Sequence, residues 1–156
     1  MVYLDGDRLY TELDKYLNVY LINDLTSPIA TYPLKGRSKS CILANNCLYL
    51  NGGDTLYVFK VSTSLTQPLI RVSQIPAPEK INTIVRMGGE LVLGMNYLGL
   101  SVFDIESCKI THYDIIEFIG DIYDIIILDG KISLGLPPLY KSKFNNLSMK
   151  FSIFVL

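Results

Sequence analysis

A repeat of about forty residues is the feature of this sequence that most restricts how the chain can fold. Four turn-forming pairs each precede a short strand pattern: Gly6-Asp7 before RLYTEL, Asn45-Asn46 before CLYLNG, Gly88-Gly89 before ELVLGM, and Asp129-Gly130 before KISLGL. The second residue of each strand pattern is aliphatic, and these residues are Leu9, Leu48, Leu91 and Ile132. Their separations are 39, 43 and 41 residues. A period of this length indicates that one small group of secondary-structure elements recurs along the chain.

A second pattern keeps the same spacing as the first. Three segments read aliphatic, any residue, Val, aromatic, any residue, aliphatic: LNVYLI at Leu17 to Ile22, LYVFKV at Leu56 to Val61, and LSVFDI at Leu100 to Ile105. The final six residues, FSIFVL, fit this pattern with Phe for the leading Leu and Ile for Val. We interpret them as a fourth copy, displaced by a longer loop from Pro137 to Lys150. Each unit therefore contains at least two strands that recur together.

Two further strands complete each predicted unit. Apolar segments that precede the turns predict an inner strand: Ser40 to Ala44, Thr83 to Met87, and Asp124 to Leu128. The segments IATYPL and LIRVSQI follow proline-containing turns and predict outer edge strands, where a flanking proline is tolerated. No segment shows a convincing helical period.

The predicted fold class is therefore all-β and β-propeller-like, because blades of four antiparallel strands repeat at about 40 to 45 residues. We expect about four blades in one partial propeller domain, residues 1–156, at approximately 1–34, 35–76, 77–119 and 120–156. Met1 to Leu4 align with only half of an inner strand, and the chain stops on a third strand. Both terminal blades are thus expected to be incomplete. We further expect self-association, or a protein partner that completes the ring, because open sheet faces drive association.

One segment carries a resemblance to a known family. LSVFDI, preceded by Tyr97-Leu98-Gly99, resembles the core of the LVIVD class of propeller repeat. WD40 repeats are the second choice, although the chain has no Trp and only Phe103-Asp104 approximates their dipeptide. The resemblance implies a platform for protein interaction. It implies no catalytic residue.

Composition and charge exclude several classes of function. Fourteen Lys and Arg against fifteen Asp and Glu give no electrostatic footprint for nucleic acid or an anionic membrane surface. The longest apolar stretch, Ile115 to Leu128, is interrupted by three carboxylates, so no membrane span is predicted. No secretory signal pattern is present in the chain as given. Three cysteines without metal-site spacing are expected to be buried free thiols, which favours a cytoplasmic location.

Candidate catalytic and metal-binding residues have simpler explanations. His112 is the only histidine and lies on a predicted outer strand, with no nucleophile obviously arranged with it. An acidic stretch could supply calcium ligands but lacks the spacing of a calcium loop: Asp114, Glu117, Asp121, Asp124 and Asp129. We therefore expect no enzyme activity, no catalytic residues, no cofactor and no metal.

Candidate partner-binding residues lie in loops that a propeller places on one face. They are Lys35, Arg37, Lys39, Asp54, Asn96 and Tyr97. An ordinary charged loop is the competing explanation of the basic cluster. The leading hypothesis is a non-catalytic protein-interaction scaffold or module that binds through these loops. The alternatives are a fragment of a propeller enzyme or carbohydrate-binding protein whose active residues lie on absent blades, or an incomplete gene product.

Overall fold

The computed structural model describes residues 1–97, 99–106, 109–116, 122, 124–128, 131–136 and 151–155. For 109–116, 128, 131, 134–136 and 151–155 it describes the backbone alone. These residues contain fifteen strands and no helix, arranged in four separate sheets. The predicted all-β, propeller-like fold class is confirmed.

Each of the first three sheets is an antiparallel meander of four strands in chain order. The first sheet contains β1 (Val2–Asp5), β2 (Arg8–Leu13), β3 (Tyr16–Leu21) and β4 (Ala30–Pro33). The second contains β5 (Cys41–Ala44), β6 (Cys47–Asn51), β7 (Thr55–Val61) and β8 (Leu69–Pro76). The third contains β9 (Ile81–Met87), β10 (Glu90–Met95), β11 (Gly99–Glu106) and β12 (Lys109–Ile116). Among the first strands, β9 contacts both β5 and β13 (Asp124–Leu128) of the fourth sheet.

The fourth sheet departs from the predicted antiparallel blade. It contains β13, β14 (Lys131–Leu136) and β15 (Phe151–Val155) in that order. The pair β13 and β14 is antiparallel, but β15 runs parallel to β14. A parallel pair needs a connection of about a dozen residues or more, and the segment between these strands is long enough. The prediction of FSIFVL as a third strand is right in position and wrong in direction.

The first sheet corrects a second expectation. We expected an incomplete first blade, yet β1 pairs along its whole length with β2 and the sheet has four strands. Strand β1 has the same four-residue length as β5. The error came from assuming a longer inner strand. In the last sheet the described residues form three strands.

Hairpin geometry follows from the turn residues. Asn45 and Asn46 have φ values of 51° and 61°, and Asp14 and Lys15 have values of 51° and 69°. Two consecutive residues with positive φ match the twist of a two-residue hairpin, and asparagine tolerates this conformation well. The Asn45-Asn46 turn places Ala44 opposite Cys47.

The core of the described residues consists of three layers, each between two consecutive sheets. Adjacent strand residues point to opposite faces, so Leu48 and Leu50 pack toward the first sheet, whereas Tyr49 packs toward the third. The same alternation separates Phe59 from Val58. A smaller cluster joins the third sheet to the fourth. The second sheet is therefore covered on both faces, which explains why β6 is buried at every position.

Two cysteines lie in the described part of the chain. Cys41 is a partly buried free thiol, as expected. Cys47 is buried and disulfide-bonded, so the expectation of a free thiol is wrong there. No helix in the described residues has the length and apolar character needed to cross a membrane.

Candidate interaction face

Because each of the first three sheets is an antiparallel meander, the hairpins between its second and third strands and the connections between sheets lie at the same end. The hairpins at 14–15, 52–54 and 96–97 lie there together with the connections 34–40 and 77–80, and we call this set the loop face. Backbone hydrogen bonds join each connection to a hairpin. Leu34 N donates to Lys15 O at 2.8 Å, and Asn96 N donates to Lys80 O at 2.9 Å. The loop face is thus held by its own backbone.

The side chain of Asn51 fixes the first long connection of the loop face. This residue is completely buried at the end of β6. Its Oδ1 accepts hydrogen bonds from Lys39 N and Ser40 N at 3.0 Å each, and from Ser38 Oγ at 3.1 Å. Its Nδ2 donates to Ile81 O at 2.7 Å. One amide therefore ties the connection between the first two sheets to the first strand of the third.

A second chain of polar contacts crosses the loop face. Lys39 Nζ donates to Asn82 Oδ1 at 3.2 Å. Asn82 Nδ2 in turn donates to Asn96 Oδ1 at 2.5 Å and to Ile122 O at 3.0 Å. Lys39 and Asn96, predicted separately from their loops, are therefore linked through one buried asparagine.

Close backbone packing holds the basic segment against the second hairpin. A Cβ atom on Gly36 would lie 2.9 Å from Gly52 O and from the N and Cα of Gly53. Gly53 N also donates to Arg37 O at 3.3 Å. Glycine at position 36 is thus required by space, and it brings the neighbouring basic side chains beside the hairpin that carries Asp54.

The charged groups of this face are exposed on an ordered backbone. Lys35 N donates to the Tyr57 hydroxyl at 2.6 Å, while the Lys35 side chain remains in solvent. Arg37 lies 4.0 Å from the carboxylate of Asp14, and both side chains are more than three-quarters exposed. An exposed pair at this distance contributes little stability, so Arg37 can exchange that partner for another.

All six predicted partner-binding residues belong to the loop face. Lys35, Arg37 and Lys39 lie in the first connection, and Asp54, Asn96 and Tyr97 lie in the two following hairpins. Tyr97 is exposed and has a φ of 60°. Whether these residues bind a partner stays a prediction. Asn51 and Asn82 are not among the residues predicted from the sequence. Asn51 does interrupt an apolar strand just before Gly52-Gly53, and that interruption is the one signal for it in the sequence.

The candidate catalytic histidine and the acidic stretch lie mostly where side chains are outside the described residues. His112 lies on β12, the fourth strand of its sheet, and its side chain is outside the described residues. Of the acidic stretch, the side chain of Asp124 is described, and its Oδ1 accepts a hydrogen bond from Ile125 N at 2.9 Å. Within the described residues, no three His, Cys, Asp or Glu side chains form a group that could hold a metal ion.

A shallow cleft of about 270 Å³ lies at the opposite end of the first two sheets. The turn 5–8, Asn46 and the segment 61–63 line it. Arg8 is more than nine-tenths buried there and donates to Ser62 O. This contact joins the first sheet to the second at the end away from the loop face.

Comparison with solved structures supports the fold. One of 98 matching chains belongs to the crystal structure of a mitotic checkpoint complex, with a TM-score of 0.60 and 13% sequence identity. The alignment covers 78% of this chain and 39% of that chain, so the present sequence matches about two fifths of its neighbour's length. At this identity the likeness concerns the fold alone. No protein-family model matches the sequence, and no curated protein matches it.

Proposed function

We propose that this chain is a non-catalytic protein-interaction module that binds a partner through the loop face. The observation that carries the proposal is the buried amide of Asn51, which fixes the connection that presents Lys35, Arg37 and Lys39. A preorganised loop loses little conformational entropy when a partner binds, so its exposed side chains can contribute more affinity. The similar chain belongs to a multi-protein complex, which is compatible with this role.

The partner that best fits this face is a protein segment that carries carboxylates beside an apolar or aromatic residue. Lys35, Arg37 and Lys39 are exposed, and the paired charge of Arg37 is held only loosely. Arginine binds carboxylates in a bidentate geometry, and tyrosine is enriched at protein interfaces. Tyr97 lies exposed on the same face. The basic cluster would therefore attract the segment, and Tyr97 would provide contact area.

A peptide-display selection against the purified full chain tests this proposal. We expect acidic peptides to be enriched, and their binding to fall at least about tenfold in Arg37→Glu and in Tyr97→Ala. Lys60→Glu is a matched control, because Lys60 is exposed on β7 away from the loop face. Enrichment of peptides that bind all variants equally would contradict the proposal, as would a selection that enriches no sequence.

A further inference from the structure

The first sheet has one face on which no other sheet packs within the described part of the chain. Cross-strand pairing places ten side chains on this face: Val2, Leu4, Leu9, Thr11, Leu13, Tyr16, Asn18, Tyr20, Thr31 and Pro33. We call this set the bare face. The relative exposures of Val2, Leu4 and Leu13 are 73%, 57% and 63%, which are high for aliphatic strand residues.

The repeat shows what normally covers such a face. Leu9 and Tyr20 lie 39 residues before Leu48 and Phe59, at the same positions of the preceding unit. Leu48 and Phe59 are completely buried, because the first sheet packs on them. The bare face is therefore the counterpart of a surface that is core in the second sheet, and its expected cover is another sheet.

The absence of charged side chains on the bare face indicates which sheet covers it. None of the ten side chains of the bare face is Asp, Glu, Lys or Arg. In a two-fold symmetric interface a patch meets its own copy, so any net charge on it would repel itself. A face without charged side chains satisfies this requirement, and it offers no ionic group with which to select a charged partner.

We infer that the bare face binds the bare face of a second copy of this chain, so that two first sheets stack in a symmetric dimer. This inference is independent of the loop face, which lies at the end of the sheets and stays open in such a dimer. Four strands of this length, at about 4.8 Å spacing and about 3.3 Å per residue, cover less than the roughly 800 Å² per partner of a standard interface. We therefore expect a reversible dimer that accumulates as the protein concentration rises.

Light scattering coupled to size exclusion, over a concentration series of the full chain, is the primary test. The mass should rise from 17.6 kDa toward twice that value. Leu4→Asp and Leu13→Asp each place a carboxylate against its own copy and should weaken association by more than about tenfold. Leu25→Asp and Leu65→Asp are matched controls, because these leucines are 56% and 54% exposed and lie off the bare face. The controls should dimerise like the unmodified protein.

Hydroxyl-radical footprinting of the unmodified chain keeps the test valid if the aspartate variants do not fold. Oxidation of Leu4 and Tyr16 should fall as concentration rises, whereas oxidation of Leu25 and Tyr97 should stay constant. Three results would overturn the inference: a monomer at every concentration, a dimer whose footprint lies elsewhere, or a ladder of larger species. The last result would mean that a different surface of the second copy covers the bare face.

Discussion

Replacing Asn51 by alanine should destabilise the fold by about 3 to 4 kcal/mol, because the side chain makes four hydrogen bonds from a fully buried position. A typical internal hydrogen bond contributes about 1 kcal/mol net, and a buried group left unpaired costs about 1 to 3 kcal/mol. The substitution leaves Lys39 N, Ser40 N and Ile81 O without this partner. Ser38 Oγ loses less, since its one hydrogen can be donated to Ser40 O, at 3.3 Å, instead.

Asn18→Ala is the matched control for this prediction. Asn18 is also buried, but the hydrogen bond described for its side chain is a single one from Thr31 Oγ1, at 2.9 Å. We expect a loss of about 1 kcal/mol there. Urea titration followed by circular dichroism measures both free energies of unfolding, with the slope of the transition compared between variants. Equal losses in the two variants would refute the reasoning, because the structure assigns the larger network to Asn51 alone of the pair.

Three further predictions concern packing, backbone space and pH. Leu56→Ala should cost about 2 to 5 kcal/mol in the same titration because Leu56 is fully buried, and Val102→Ala should cost clearly less because Val102 is only partly buried. Gly36→Ala should lower the melting temperature, because the added Cβ would lie 2.9 Å from backbone atoms. Gly89→Ala should leave the melting temperature unchanged, because no heavy atom lies within 4 Å of a Cβ at that position, and equal shifts in the two variants would contradict the prediction. Burial raises the pKa of Cys41 from 9.0 to about 12, so alkylation of the folded protein should stay slow until well above pH 9.0. Because the thiol of the unfolded chain ionises at lower pH than that of the folded chain, Cys41 should also lose its contribution to stability as the pH rises from about 9 to about 12. If the folded protein were alkylated as fast as the denatured one, neither the slow alkylation nor the pH-dependent loss of stability would hold.

The sequence was sufficient to predict the repeating sheets because the signals for them are local. A turn pair such as Asn45-Asn46 determines the hairpin, and alternation such as Leu48 and Tyr49 determines which face each side chain takes. The direction of β15 could not be predicted. The pattern FSIFVL reads the same for a parallel and an antiparallel strand, and the choice depends on the connection before it.

The position of the candidate site could be predicted from the sequence, but the hydrogen bonds that hold its loops could not. Strand direction alone places Lys39 and Asn96 at the same end of the sheets. The role of Asn82 between them could not be predicted. It depends on how close the connection that carries Lys39 lies to β9, which carries Asn82, and on how close β9 lies to the hairpin that carries Asn96. The buried role of Asn51 could not be predicted either. An asparagine beside two glycines is typical of an exposed turn, whereas the partners that bury this one lie in the preceding connection and in the third sheet.

The layered core also determines how this fold should come apart. Each of the three apolar clusters among the described residues joins two consecutive sheets, so stability is distributed as a series of nearest-neighbour couplings along the chain. A sheet at either end can then detach while the remaining clusters persist, and its loss removes one coupling. The second and third sheets each take part in two clusters, but the second belongs to the two larger ones and also holds the Asn51 amide, so we expect the fold to resist unfolding most strongly at its second repeat.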